Sequence, residues 1–406
     1  MKNLLKLFFN ISLYCFLAAF ILAGCQKEEP KPEPEPNQET TSCLLGILEE
    51  REMSADAVKQ ACQQMAGETA NLSMLNIPWH PIRVVTLKYR TTNASGQPVE
   101  ASGIVAYRTD MEGGFRGIYS VQHGTCEFTA CPSKLAFSPE ACACLLGHIA
   151  VEADYIGYGH SETANHAHPY LHSESTAQAC YDMLCAAKEY LKKCQISYTD
   201  TTHLVGYSQG GAATIALLKK LEEKNYPTIG EVFAGGGPLS LTITFNELLK
   251  DSVSITNYQQ PAYMLLIFRS MNECHHLQLD WSKLFKPKYA DAIGLLDTLS
   301  FAEANKVLGN NFREIITEDF FAPDPTAINS EIAKLYDAFA KNDLILNFSP
   351  KHKATLFHSP TDDIVPYSNS KTAADKYPNY TLANLSSKTH FAGAVEFLLW
   401  LLLVHK

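Results

Sequence analysis

Basic side chains are scarce in this sequence relative to acidic ones. Lys and Arg together number 33 against 43 Asp and Glu, which gives a formal net charge of −10. Residues 1–24 hold two lysines and no acids, so the chain beyond them has 31 basic and 43 acidic residues and a net charge of −12. Proteins that bind nucleic acids present basic surfaces to the phosphates. We therefore expect no nucleic-acid partner.

The sequence also lacks the spacings of common metal and dinucleotide motifs. Cys142-Ala143-Cys144 has no second ligand pair at zinc-ribbon distance. Glycines 235–237 follow an apolar run but do not have GxGxxG spacing. Four histidines lie close together without HExxH spacing and suit a polar loop: His160, His166, His168 and His172. We predict no metal site and no bound dinucleotide, and we interpret Asp154, at a strand end, as structural.

The first 24 residues have the pattern of an export signal. Lys2 and Lys6 accompany an apolar run over residues 4–23, which ends in Leu22-Ala23-Gly24-Cys25. This order is typical of a signal peptide, and the last four residues resemble the bacterial lipobox, in which the cysteine becomes the lipidated first residue. A membrane-spanning anchor is the alternative, but no stop-transfer pattern follows the run. The sequence predicts cleavage before Cys25 and a lipid anchor on it.

Residues 25–41 link this signal to the rest of the chain. They are rich in Lys, Pro and Glu and too poor in apolar side chains to pack, which predicts a flexible tether. The start Cys-Gln-Lys-Glu-Glu resembles the surface-export signal of some Bacteroidota lipoproteins. We therefore expect an outer-membrane lipoprotein in the bacterial cell envelope, exposed at the cell surface and attached to the membrane through Cys25.

Ten cysteines remain besides Cys15 in the leader and Cys25 at the anchor. An even number in an exported chain is compatible with disulfides, although spacing alone cannot fix their connectivity. Two local pairs are candidates: Cys43 with Cys62, and Cys126 with Cys131.

Beyond residue 80 the sequence alternates between strand and helix patterns. Runs at residues 82–92 and 100–108 flank a turn and predict a hairpin. We predict further strands at residues 117–122, 148–156, 202–207, 231–235, 354–358 and 380–385, with helices at 174–193, 210–224, 369–376 and 394–404. Parallel strands need a crossover at each connection, so the pattern predicts an α/β fold with a mostly parallel, doubly wound sheet. Residues 238–350 show only helical patterns and predict a helical cap inserted into a domain of residues 42–406.

The strongest local motif is Gly206-Tyr207-Ser208-Gln209-Gly210, between a predicted strand and an alanine-rich helix. A nucleophile elbow belongs at such a junction, where the sharp turn requires residues without bulk two positions before and after the serine. A serine hydroxyl needs a histidine to take its proton and an acid to orient that histidine. Ser208 is the predicted nucleophile, with the acid and then the histidine expected downstream.

Two acids follow the predicted strand at residues 354–358. Either Asp362 or Asp363 suits the role of the acid, and both could instead cap the next helix. His390 follows the strand at residues 380–385 and stands immediately before the last predicted helix. Its position after both other members of the expected order makes it the predicted base.

An acyl-transfer site also needs backbone N–H groups that stabilise a negative oxygen. One should belong to Gln209, the residue after the nucleophile, and the other to the loop after the strand at residues 117–122. That loop begins His123-Gly124-Thr125-Cys126, and Thr125 and Cys126 are the candidates.

Several of these stretches resemble the secretory lipase family, the α/β-hydrolases of the lipase A type. The resemblance covers most of residues 80–400 and rests on these segments: Tyr89-Arg90-Thr91-Thr92, Tyr119-Ser120-Val121-Gln122, Gly206-Tyr207-Ser208, residues 357–367 and the region around His390. It implies an α/β-hydrolase fold, a triad of Ser208, Asp362 and His390, and a helical cap over an acyl-binding tunnel. Analogy with the histidine-glycine loops of this class favours Thr125 over Cys126. This loop reads His-Gly-Thr-Cys where the lipase A type carries an acidic residue, which leaves the acyl length of the substrate open.

These observations predict a serine hydrolase that cleaves carboxylic esters through an acyl-enzyme on Ser208. The substrate would be a small acyl ester or a lipid. We expect no cofactor, because nucleophile, base and oxyanion donors all come from the protein. Two alternatives stay open: a serine peptidase with the same triad, and a catalytically inactive lipoprotein that binds at the surface.

Overall fold

The computed structural model describes residues 42–66, 72, 75–161, 168–250 and 252–403. The predicted signal peptide, the lipidation site Cys25 and the tether lie outside the described residues, as do His166 and the last three residues of the chain. None of the described helices combines the length and apolar character that crossing a membrane requires.

A nine-stranded sheet forms the centre of the described chain, in the order β1–β2–β3–β5–β4–β6–β7–β8–β9. The strands are β1 Leu44–Met53, β2 Ile82–Thr92, β3 Pro98–Arg108, β4 Ile118–Gln122, β5 Ile149–Ala153, β6 Thr202–Tyr207, β7 Ile229–Gly235, β8 Ala354–His358 and β9 Tyr380–Asn384. Strands β1, β2 and β3 pair antiparallel, and β3 also pairs antiparallel with β5. The six strands from β5 to β9 run parallel. The predicted α/β fold with a mostly parallel sheet is confirmed.

Helices cover both faces of this sheet. They are α1 Ala55–Ala66, α2 Ser173–Lys193, α3 Gln209–Glu223, α10 Ser368–Lys376 and α11 His390–Leu403. Val84 and Val85 are neighbours on β2 but belong to two separate core clusters, because successive side chains of a strand point to opposite faces. One cluster lies under α2, α3 and α10, and the other under α1 and α11. Every residue of β4 and β5 is buried, as expected of strands that are covered on both faces.

The segment between β7 and β8 is helical. Its helices are α4 Leu241–Lys250, α5 Ser252–Thr256, α6 Pro261–Cys274, α7 Phe301–Leu308, α8 Pro325–Ile328 and α9 Ser330–Lys341. Phe245 is fully buried among them, with its ring centroid 5.4 Å from that of Phe268 and 5.4 Å from that of Phe320. These edge-on aromatic contacts belong to the core cluster that also covers one face of the sheet, so the insertion packs on the sheet through its apolar side chains.

No disulfide joins the ten cysteines of the described residues, so the two candidate pairs are not formed. Cys43 packs against the core cluster on one face of the sheet and Cys62 belongs to the cluster on the other. The sulfur of Cys126 lies 3.7 Å from His123 Nδ1, whereas the sulfur of Cys131 lies 3.9 Å from Ser133 Oγ. The spacing that suggested these pairs did not account for the sheet between the first two cysteines or for the directions of the other two side chains.

The order of the central strands determines where a site can form. From β4 the chain crosses to β5 on one side, and from β6 it crosses to β7 on the other side. Two adjacent strands with connections in opposite directions leave a crevice beyond their carboxyl ends, where ligands of open α/β sheets bind. Strand β4 ends just before His123, and β6 ends just before Ser208.

Candidate active site

Ser208 occupies a sharp turn between β6 and α3. Its φ of 60° and ψ of −123° lie outside the usual regions for a residue with a side chain, a strain typical of functional positions. A Cβ at Gly206 would lie 2.4 Å from the carbonyl oxygen of Gly210, and a Cβ at Gly210 would lie 1.9 Å from that of Gln122. The turn therefore requires glycine on both sides, and it presents the hydroxyl of Ser208 at the end of the sheet.

The side chains of Ser208, His390 and Asp362 form a continuous hydrogen-bonded chain. Ser208 Oγ lies 2.7 Å from His390 Nε2, and His390 Nδ1 lies 2.7 Å from Asp362 Oδ2. A carboxylate can only accept, so Nδ1 donates to Asp362, which leaves the lone pair of Nε2 to accept the serine proton. The structure thus brings together all three residues that the sequence selected.

The carboxylate of Asp362 is fully buried and firmly held. Its Oδ1 accepts hydrogen bonds from the backbone N–H groups of Ile364 at 3.0 Å and Val365 at 2.8 Å. Its Oδ2 lies 3.5 Å from Nε2 of His358 in addition to the bond with His390. Burial alone would raise the pKa of Asp362, but its interactions with His358 and His390 outweigh this effect and hold it well below the usual range. Asp362 therefore stays ionised near neutral pH.

Asp363 has a different task from its neighbour. Its Oδ1 accepts a hydrogen bond at 2.8 Å from the backbone N–H of His390. His390 is the first residue of α11, which begins four residues before the predicted start at residue 394, so His390 lies at the helix start and not on the preceding loop. Asp363 satisfies one of the free N–H groups at this helix start and fixes the backbone of His390. Both acids serve His390, one through its ring and one through its backbone.

Gln209 and Thr125 both lie beside Ser208. Gln209 begins α3, so its backbone N–H belongs to the first turn of a helix, where no intrahelical acceptor exists. Thr125 lines the cavity at Ser208, and its hydroxyl contacts that of Tyr170 at 2.7 Å. Cys126 is turned away, since its carbonyl accepts from the hydroxyl of Tyr158 at 3.0 Å and its sulfur faces His123. Thr125, and not Cys126, lines the cavity beside Ser208, which favours the backbone N–H of Thr125 as the second oxyanion donor.

His168 supports Gln209 in a way that the sequence did not reveal. Its Nδ1 lies 2.8 Å from the carbonyl oxygen of Ile156, so Nδ1 carries the proton and Nε2 accepts from the side-chain amide of Gln209 at 2.7 Å. Complete burial lowers the pKa of His168 to about 3, which keeps the ring neutral. No spacing rule links residue 168 to residue 209.

A cavity of about 260 Å³ opens above Ser208 and His390. Apolar side chains from β4, β6 and α11 form much of its wall, including Val121, Val205 and Leu398. The side chain of Glu140 also lines it. A mostly apolar cavity with a few polar groups at one end is typical of a small-molecule site.

Within the described residues, no three His, Cys, Asp or Glu side chains gather as a metal site. Of the clustered histidines in this part of the chain, His168 supports Gln209, and His172 accepts from the backbone N–H of Ser175 as the N-cap of α2. Asp154 accepts hydrogen bonds from Ser102 Oγ at 2.5 Å and from the backbone N–H of Ser133 at 2.8 Å. These contacts give all three residues structural partners.

The parallel sheet, the strained serine at the end of β6 and the inserted helices define an α/β-hydrolase fold. Solved structures with this architecture include a Legionella pneumophila protein assigned as a hydrolase, which is 23% identical, covers 87% of this chain and 95% of its own, and has a TM-score of 0.71. The rice cell wall degrading esterase LipA from Xanthomonas oryzae is 21% identical over 87% of this chain and 97% of its own, with a TM-score of 0.70. Candida antarctica lipase A is 15% identical over 85% and 77%, with a TM-score of 0.56. No family model and no curated protein sequence matches the chain. At these levels of sequence identity, the structural similarity establishes the fold alone.

Proposed function

We propose that the protein is a serine hydrolase of carboxylic esters. The observation that carries this proposal is the chain of 2.7 Å contacts from Ser208 through His390 to Asp362 at the floor of a largely apolar cavity. The three similar structures include an esterase and a lipase, which supports acyl esters as the substrate class.

The proposed reaction proceeds through an acyl-enzyme. Ser208 Oγ attacks the ester carbonyl while His390 Nε2 takes its proton, and Asp362 stabilises the imidazolium that results. The backbone N–H groups of Gln209 and Thr125 stabilise the negative oxygen of the tetrahedral intermediate. His390 then gives its proton to the departing alcohol, and a water molecule activated by the same ring releases the acid. The protein supplies every group that these steps use, so the mechanism needs no cofactor.

Hydrolysis of p-nitrophenyl butyrate by the purified protein tests this proposal. We expect turnover that falls by about a millionfold in Ser208→Ala, as for removal of a triad nucleophile. Ser95→Ala, on the exposed turn between β2 and β3, is the matched control and should retain wild-type turnover. Absence of ester turnover, or activity that survives in Ser208→Ala, would refute the proposal. Faster turnover of dipeptide amides than of esters would identify a peptidase instead.

We also propose that the enzyme is a lipoprotein of the bacterial cell envelope, anchored through Cys25. The support is the sequence Leu22-Ala23-Gly24-Cys25 after an apolar run, followed by a Lys-, Pro- and Glu-rich tether. Metabolic labelling with palmitate should mark the full-length chain, and Cys25→Ser should abolish both the label and its recovery with membranes. Unlabelled wild-type protein in the soluble fraction would contradict the proposal.

A further inference from the structure

The wall of the cavity above Ser208 contains one acidic side chain. Glu140 is in the 3₁₀-helical segment Pro139–Leu146 and lines the cavity together with Tyr263 and Phe391. Apart from His390 and two tyrosines, the other described side chains that line the cavity cannot ionise. The charge of Glu140 therefore dominates the electrostatic character of the cavity.

The hydrogen bonds of Glu140 identify its side chain as an acceptor. Its Oε1 accepts from the backbone N–H of Gly124 at 3.3 Å, and its Oε2 accepts from the hydroxyl of Ser138 at 3.3 Å. Both bonds are long, and an ionised carboxylate has about four lone-pair positions, so acceptor capacity remains for a ligand. No Lys, Arg or His of the described residues forms an ion pair with Glu140.

A second acidic residue, Glu152, lies close enough to interact with Glu140. Glu152 on β5 is completely buried, and a hydrogen bond with the Ser138 hydroxyl only partly offsets the effect of that burial. Burial and the negative charge of Glu140 both raise the pKa of Glu152 well above its usual range. Burial therefore favours the neutral form of Glu152, and no Lys, Arg or His of the described residues pairs with Glu140.

We propose that Glu140 binds an alkylammonium group in the cavity, so that the enzyme prefers esters that carry a positive charge. This inference rests on the proposed ester hydrolysis and names its substrate class. An unpaired carboxylate at the side of a partly enclosed cavity attracts a cation. Tyr263 and Phe391 also line the cavity, and aromatic rings attract ammonium groups, while the apolar wall suits the methyl and methylene groups of the ligand. Anionic esters should be repelled by the same charge.

Pairs of esters that differ only in charge test this proposal with the wild-type enzyme. For the alcohol side the pair is acetylcholine and 3,3-dimethylbutyl acetate. For the acyl side it is p-nitrophenyl 4-(trimethylammonio)butyrate and p-nitrophenyl 5,5-dimethylhexanoate. We expect kcat/KM to favour the cationic ester by about tenfold in one of the two pairs, since a carboxylate acts across a few ångströms of partly screened space. The preference should shrink between about 0.01 M and about 1 M salt, where the Debye length falls from ~30 Å to ~3 Å.

Glu140→Gln removes the charge and retains an oxygen that can accept from Gly124. The ratio of kcat/KM for cationic over neutral ester should fall to about one, and competitive inhibition by tetramethylammonium should weaken in parallel. Glu50→Gln removes the same charge from the exposed edge strand β1 and should keep the wild-type ratio.

Two results would overturn the inference. One is equal kcat/KM within both ester pairs for the wild-type enzyme. The other is a Glu140→Gln variant in which both esters lose activity together at an unchanged ratio, because Glu140 would then only support the Gly124 loop. Hydrolysis of p-nitrophenyl butyrate without turnover of either cationic ester would count against the inference as well, whereas failure to hydrolyse p-nitrophenyl butyrate would refute the proposed ester hydrolysis.

Discussion

Replacing Asp362 by asparagine should lower kcat for ester hydrolysis by about 10⁴-fold, as the same change does in a serine protease triad. The structure gives the reason. The asparagine oxygen would stay on the backbone N–H groups of Ile364 and Val365, which bond Oδ1 at present, and its NH₂ would then face His390 Nδ1. Nδ1 would have to accept a hydrogen bond, so the ring proton would move to Nε2, which could no longer take the proton of Ser208. At about 1.36 kcal/mol per factor of ten, this loss corresponds to about 5.4 kcal/mol of transition-state stabilisation.

Asp363→Asn is the matched control for this change. Its side-chain oxygen can still accept from the backbone N–H of His390, so kcat should fall by less than tenfold. Weakening of this helix cap should cost about 1 kcal/mol of stability or less. Steady-state kinetics with p-nitrophenyl butyrate, together with thermal unfolding of each variant, measures both effects. Equal losses of kcat in the two variants, or an Asp362→Asn enzyme within tenfold of wild type, would refute the reasoning.

Three further predictions follow from individual contacts. Gly210→Ala should destabilise the fold by about 3 kcal/mol in urea unfolding, because the added Cβ would lie 1.9 Å from the carbonyl oxygen of Gln122. Gly294→Ala is the control and should cost far less, because no neighbouring atom lies within 4 Å of the Cβ added there. The pKa of Glu152 is raised in the folded state, so Glu152 binds a proton more tightly there than in the unfolded state. Its contribution to the free energy of unfolding should therefore fall as pH rises above the unfolded pKa, by up to ~1.4 kcal/mol per pH unit. Glu152→Gln should flatten this slope between pH values of about 5 and 8. A wild-type slope that survives the substitution would contradict this assignment. His168→Phe should lower kcat by about 10²-fold with little change in KM, since Gln209 loses the partner that fixes it, and an unchanged kcat would remove His168 from the site.

Local patterns predicted much of the sheet because its central parallel strands are buried on both faces. Strands β2 to β9 are apolar enough to be recognised without knowledge of their neighbours. Strand β1 was missed because it lies at the edge of the sheet, has acidic residues at 49, 50 and 52, and pairs with a strand some 30 positions later. Local sequence patterns also could not predict that β5 lies between β3 and β4, because the order of strands depends on how the crossover connections pack.

Some residues of the candidate site could also be predicted from the sequence, and others could not. Ser208, Asp362 and His390 could be selected because each stands at a fixed place relative to a recognisable strand or helix. Glu140 and His168 approach the site from segments whose spacing from Ser208 follows no rule. Their contribution depends on tertiary contacts, such as the bond from Gly124 to Glu140 and that from Gln209 to His168. Position alone left Asp362 and Asp363 open, and the resemblance to the lipase A type favoured Asp362. The separate roles of the two acids depend on the directions of their side chains, which the sequence does not contain.

The central claim is that Ser208 carries the acyl group between the two halves of the reaction. Acid quenching during turnover of p-nitrophenyl butyrate, followed by proteolysis and mass spectrometry, measures this directly. We expect one butyryl group on the peptide that contains Ser208, absent from Ser208→Ala, and accumulating in a burst when release of the acid is the slow step. Ester turnover with no acylated peptide under any quench condition, or a butyryl group on another residue that turns over at the catalytic rate, would contradict the account.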